Sequence, residues 1–156
     1  MKTLNMGEYL DRTVTLQSVN EYDRIDISAI NRAVTLIWIG ENGWDNNKFP
    51  ELIGKILKTE PIGLGVSGHH VSEQFDLLIK TQSYTIPKEH TMTYIFRDNN
   101  IEEVLEYFFC SAVPGDRWDE WEKYHIIIIN DKENSKLLRR LLPEKFTAEP
   151  KSEQNS

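Results

Sequence analysis

From Ala33 onward, blocks of apolar residues alternate between two periods. Val34-Thr35-Leu36-Ile37-Trp38-Ile39 is a β-branched and aromatic run closed by Gly40, the pattern of a buried strand. Phe49, Leu52, Ile53, Ile56 and Leu57 then fall at i, i+3, i+4, i+7 and i+8, the stripe of an amphipathic helix with Pro50 in its first turn. Residues 62–66 predict a second strand weakened by Gly63 and Gly65, and Val71, Phe75, Leu78 and Ile79 predict a second helix. Residues 92–96 predict a third strand. The next helix is the clearest: Ile101, Val104, Leu105, Phe108, Phe109 and Ala112 share one face. Asn100 stands at its cap with Glu103 three residues on, and Pro114-Gly115 lies beyond its end. Residues 126–129, four isoleucines with no polar face, predict a strand covered on both sides. Leu137, Leu138, Leu141 and Leu142 predict a short last helix ended by Pro143.

This alternation predicts an α/β domain: a three-layer sandwich of Rossmann-like or flavodoxin-like architecture. Its mostly parallel sheet has at least four strands, helices on both faces and right-handed crossovers. The continuous apolar runs place the strands at 34–39 and 126–129 in the interior, with Ile37, Ile127 and Ile128 in the core, and the glycine-bearing strand nearer an edge. Thr13-Val14-Thr15-Leu16 alternates like a strand. Residues 5–10 read either as a helical turn or as part of an added N-terminal edge strand or hairpin. Residues 147–156 lack apolar periodicity and are expected to form a disordered tail, leaving 1–146 as one domain.

Composition narrows the classes. A chain of 156 residues is long enough for one hydrophobic core without a disulfide or metal staple. Eighteen Lys plus Arg against 25 Asp plus Glu give a net charge of −7, which disfavours nucleic acid and anionic lipid as partners. No apolar leader opens the chain and no run approaches 18 apolar residues, so no membrane association is expected. The single cysteine, Cys110, fits a reducing, cytoplasmic setting and is expected to be a buried, unactivated thiol.

Gly63-Leu64-Gly65-Val66-Ser67-Gly68 matches G-x-G-x-x-G, but Lys58-Thr59-Glu60-Pro61 leaves no room for the strand that a dinucleotide loop needs before it. The glycines are expected inside a strand, and no cofactor is expected. His69 and His70 precede Glu73 by four and three residues, a helical spacing that also occurs in metal sites. The simpler expectation is that Ser67 caps the helix and the histidines are solvated. His90 and His125 have no supporting spacing. More generally, the segments after the strands carry Glu41, Asn42, Trp44, Ser67, His69, His70, Asp98 and Asp131. In an open parallel sheet these gather on one edge, where ligands bind at the strand-order switch point. Asp, Asn, Gly and Ser are also ordinary turn and cap residues. No acidic pair follows the first strand, as it would in a response-regulator receiver.

The largest anomaly is a cluster of charge and aromatics. Residues 99–122 hold seven acids against Arg117 alone, and Asp116, Trp118, Asp119, Glu120, Trp121 and Glu122 fall in one connection. Exposed, this segment is an anchor for a basic protein, in the manner of inhibitor or immunity-type proteins. Folded back, the tryptophans are a lid on the sheet edge. Three classes therefore stand. A non-catalytic protein-binding domain ranks first and a small-ligand or nucleotide-binding domain second. A metal-dependent enzyme using Glu41, Asp98 and the His69/His70 pair comes third.

Overall fold

The structure is a computed structural model that describes residues 3–85 and 91–154; His90 lies outside them. Six strands form one sheet: β1 (Leu4–Tyr9), β2 (Arg12–Val19), β3 (Ala33–Ile39), β4 (Gly63–Gly68), β5 (Met92–Ile95) and β6 (Lys123–Ile129). Four helices follow the later strands: α1 (Lys48–Lys58), α2 (Val71–Thr85), α3 (Ile101–Ser111) and α4 (Lys132–Gln154). The strand order is β1-β2-β6-β3-β4-β5, parallel throughout except for the antiparallel β1–β2 pair. The expected α/β architecture with a mostly parallel sheet is therefore present. Of the described residues, no helix is long and apolar enough to cross a membrane.

Because side chains alternate along a strand, β3 and β6 feed two separate cores. Leu36, Trp38, Ile126 and Ile128 pack with Val104 and Phe108 of α3 and Leu138, Leu142 and Phe146 of α4. Ile37, Ile39, Ile127 and Ile129 pack with Phe49, Ile53 and Leu57 of α1 and Leu78 of α2. From β3 to β5 the chain steps outward under α1 and α2. It then returns through α3 on the other face and inserts β6 between β2 and β3. The reversal of direction accompanies the change of face, as right-handed crossovers require. The interior placement of β3 and β6 and the position of β4 nearer an edge follow the apolar pattern.

Four local features depart from the pattern. Residues 4–9 form a strand, not a helical turn: Leu10 and Asp11 both take left-handed φ (50° and 64°), giving a two-residue hairpin loop without the usual glycine. β6 begins three residues before the isoleucine run. Cys110 is exposed rather than buried, since it faces away from the stripe that carries Phe109. Finally, α4 does not stop at Pro143. A proline removes one backbone hydrogen bond, but Phe146 is completely buried against Tyr9 and Phe109 and holds the turn beyond it. Of the tail assigned to 147–156, the backbone through Gln154 is helical.

A polar network lies inside the core. His125, fully buried on β6, is opposite Thr15 in the register with β2. Gln17 Nε2 donates to His125 Nε2 at 2.7 Å and to the Asp26 carbonyl at 3.1 Å, while Gln17 Oε1 accepts from the Asp26 N–H at 2.8 Å. His125 Nδ1 must then carry the ring proton and donate to Thr15 Oγ1 at 2.7 Å. The neutral ring is thus satisfied at both nitrogens, and burial pushes its pKa down to about 3.

Phe108→Ala and Phe146→Ala should each cost roughly 3–5 kcal/mol, read as a lower denaturation midpoint; an unchanged midpoint contradicts the assignment. His125 should stay neutral in the folded protein from pH 7 to 4, as ring nitrogen shifts would report. Its folded pKa lies below the unfolded value near 6.5, so its contribution is complete above pH 6.5 and is lost as pH falls toward about 3. The slope is about 1.4 kcal/mol per pH unit in that window. A ring that titrates near 6.5 while the fold persists would contradict the network.

Candidate functional site

The C-terminal ends of the parallel strands are laced side by side. The Val19 carbonyl accepts from Asn130 N–H (2.7 Å), Ile129 from Gly40 (2.9 Å), Ile39 from His69 (2.9 Å) and Val66 from Phe96 (3.1 Å). The last carbonyls of β2, β6 and β3, and that of Val66 two residues before the end of β4, thereby hold the exits of their neighbours. The lacing demands glycine at two positions. A Cβ on Gly40 would stand 2.2 Å from the Asn130 carbonyl oxygen, and one on Gly68, at φ +89°, 2.3 Å from that of Ile39.

At β3 and β6 the exits part: the chain after β3 enters α1 on one face, and the chain after β6 enters α4 on the other. This is the topological switch point of the sheet. A hollow of about 360 Å³ opens there, lined by Trp38, Glu41, Asn42, His69, Asn130 and Asp131 among others. A second of the same volume shares Trp38 and His69 and extends to His70, Ser72, Glu73 and Asn99. Trp38, the penultimate residue of β3, lines both. It is almost fully buried, and its indole N–H donates to Asp131 Oδ2 at 2.8 Å. Sequence reasoning treated Trp38 only as a strand residue; an indole next to a strand exit was the available signal.

The residues expected at this edge divide. Glu41, Asn42, His69, His70 and Asp131 line the two hollows. Asp131 is also the cap of α4: its Oδ1 accepts from the Asn134 N–H at 3.1 Å and its Oδ2 from Asn134 Nδ2 at 2.7 Å. His70, at φ +58°, pairs Nδ1 with Glu73 Oε1 at 2.8 Å and stacks on Trp44 at 5.3 Å. That stack turns Trp44 toward Phe49 and the α1 core, away from the hollows. Ser67 neither caps α2 nor meets solvent: it is buried in β4 and its hydroxyl donates to the Ile37 carbonyl at 2.7 Å. Buried Gln74 instead holds the β4 exit, donating to the Ser67 and His69 carbonyls at 2.7 and 2.8 Å. Asp98 lies apart from both hollows, where its side chain bonds Glu103 and pushes that carboxyl above its ordinary pKa. Glu103 therefore does not complete a capping box; Asn100 alone caps α3, accepting from the N–H groups of Glu102 and Glu103. Among the described residues, no group of three His, Cys, Asp or Glu side chains is placed to hold a metal ion. The G-x-G-x-x-G glycines lie within β4, as expected.

The acidic, aromatic segment sits at the opposite end of the sheet. Trp121 is buried over Tyr124, with the Arg12 guanidinium 3.7 Å above its ring. Trp118 is half exposed and packs edge-on against Trp121 at 5.1 Å. Arg117 forks onto the Glu120 carboxylate at 2.8 and 3.0 Å, and Arg32 meets Glu122 at 2.6 Å. Asp116 and Asp119 are exposed. Of the two alternatives, the exposed one describes Trp118 and the lid describes Trp121, which closes the bottom of the α3 core.

Compared with protein-family models, curated proteins and solved structures, the chain has no match in any of the three.

Gly40→Ala should separate the β3 and β6 exits and cost about 1–3 kcal/mol, since backbone rather than a movable side chain blocks the methyl. A wild-type denaturation midpoint for this variant would show that the two ends are not in contact.

Proposed function

We propose that the protein is a binding domain for a small polar ligand, seated at the switch point over Trp38. One observation carries the reading: adjacent parallel strands β3 and β6 send their chains to opposite faces, and the gap gathers Glu41, Asn42, His69 and Asn130 around one indole. These groups offer a carboxylate, two amides and an imidazole on a rigid, hydrogen-bonded frame, which suits orientation of a polar molecule. No side chain there has the paired, activated arrangement of a nucleophile and its base. Fold alone does not carry the reading; the convergence of these side chains does.

A second reading keeps the protein-binding class. Half-exposed Trp118, flanked by exposed Asp116 and Asp119, is a single anchor of the kind that basic partners engage. Two of the acids that would surround it, Glu120 and Glu122, are already held by arginines, which weakens its pull on a basic surface.

The test is a thermal-shift screen of the full chain against nucleosides, sugars and amino acids. A true ligand at a hundred times its Kd stabilises by about 2.7 kcal/mol. Glu41→Gln and His69→Ala should each weaken that ligand tenfold or more while melting like wild type without it, and Trp118→Ala should leave it unchanged. A ligand lost in Trp118→Ala but retained in the other two contradicts the assignment. So does a stoichiometric basic partner released only by Trp118→Ala and Asp119→Lys, with no small molecule stabilising the chain.

A further inference from the structure

A separate hollow of about 220 Å³ lies between the end of β2 and the first turns of α4, lined by Ser18, Asn20, Ser135 and the cations Lys132, Lys136 and Arg139. It meets the switch-point hollow only at Asp131 and Lys132. Local physics disfavours these cations where they stand. At i, i+4 and i+7 they share one helix stripe, so like charges face one another. Lys132 occupies the first turn of α4, the end whose dipole favours acids. In a chain of net charge −7, partners of opposite sign are abundant, yet among the described residues no ion pair takes up any of the three. Asp131 is the one acid in the lining, against three cations, and a cluster that local rules oppose in this way is the mark of a site that answers to something outside the chain.

The surrounding groups suit an oxyanion. The Ser18 and Ser135 hydroxyls are hydrogen-bonded to each other, and Arg139 reinforces the pair through Nη2 to Ser135 Oγ (3.2 Å) and Nε to the Ser135 carbonyl (3.4 Å). Two hydroxyls joined by one bond leave one O–H hydrogen to give away, whichever serine donates. The one carboxylate in the lining, Asp131, accepts from the Trp38 indole and from Asn134, and the three cations outnumber it. The helix amides contribute little, because Asp131 already accepts from the N–H groups of Asn134 and Ser135. The hollow therefore offers positive charge and a hydroxyl donor made of side chains.

We propose that this hollow binds a tetrahedral oxyanion: inorganic phosphate or the phosphate group of a small phosphorylated molecule. Lys136 and Arg139 neutralise it, Lys132 closes the rim and the serine pair donates a hydroxyl. The inference goes beyond the switch-point reading and does not depend on it.

The experiment titrates the full chain with inorganic phosphate, and in separate arms with glycerol 3-phosphate and adenosine 5′-monophosphate. Ionic strength is held constant with chloride, and amide shifts are read. Saturable shifts are expected at Ser18, Asn20, Ser135 and Lys136. Lys136→Gln and Arg139→Gln should each weaken binding at least tenfold, and Lys145→Gln, which removes the same charge elsewhere on α4, should change it less than twofold. A phosphomonoester that binds at least tenfold more tightly than phosphate makes the phosphorylated molecule the source; equal affinities make it the free anion. Stability gives an independent reading. Without phosphate, Lys136→Gln should melt no lower than wild type, because it relieves repulsion; in saturating phosphate it should melt lower. No saturation, shifts reproduced by chloride, or the same loss in Lys145→Gln would overturn the proposal.

Discussion

The insertion of β6 between β2 and β3 is the constraint on which the rest of this domain depends. A strand of four isoleucines has no polar face to offer water, so it is stable only where both faces and both edges are covered. Its odd and even residues supply two cores at once, and its ladders join the N-terminal hairpin to β3, β4 and β5. The position also decides where chemistry can occur. With β6 beside β3, two exits that lead to opposite faces lie next to each other, and Gly40 is needed because their backbones approach so closely. The first turns of α4 then fall between the switch-point hollow and the end of β2, so both proposed sites follow from one topological choice.

Burying β6 has a polar cost that the structure meets locally. His125 is fully buried, and a lone imidazole there would be strongly unfavourable. Thr15 and Gln17 from the neighbouring strand satisfy both of its nitrogens, and Gln17 in turn binds the Asp26 backbone on either side of the amide. The network works only in one register of β2 against β6, so it selects that register as well as stabilising it. At the far end of the same strand pair, Arg12 stacked on Trp121 closes the α3 core. Trp121, Glu120 and Glu122 of the acidic connection thus have partners within the fold, and its charge is partly cancelled by Arg32 and Arg117.

Much of the element pattern was legible because it rests on periodicity. The helix stripes of α1 and α3 and the isoleucine run of β6 are visible in the residues themselves, and so is the interior place of β3 and β6. What stayed hidden depends on partners distant in the chain. Leu10-Asp11 carries no glycine, so the hairpin that β2 enforces has no local signature. Pro143 is an ordinary helix stop until Phe146 meets Tyr9 and Phe109. Ser67 has the chemistry of a cap, and only its place in β4 turns its hydroxyl inward to Ile37. Trp118 and Trp121 are three residues apart in one segment and share Arg12, at 5.7 and 3.7 Å, yet only Trp121 also packs on Tyr124 and is buried. Glu41, His69 and Asp131 meet at one edge because each follows a parallel strand, a placement that topology alone predicts. Lys136 and Arg139 were not legible in this way, because a basic helical stripe reads as an ordinary solvated face until Ser18 is seen beside it.

Amide hydrogen exchange on the intact chain addresses the central position of β6 most directly. If β6 is paired on both edges and buried on both faces, the amides of Ile126, Ile127 and Ile128, with those of Leu36 and Ile37, should be the slowest in the protein. They should then exchange only through global unfolding, with free energies equal to that measured by denaturant. Ile126–Ile128 amides that exchange through local opening, faster than those of β4, would mean that β6 lies at an edge. The switch point, and the ligand site argued from it, would then be lost.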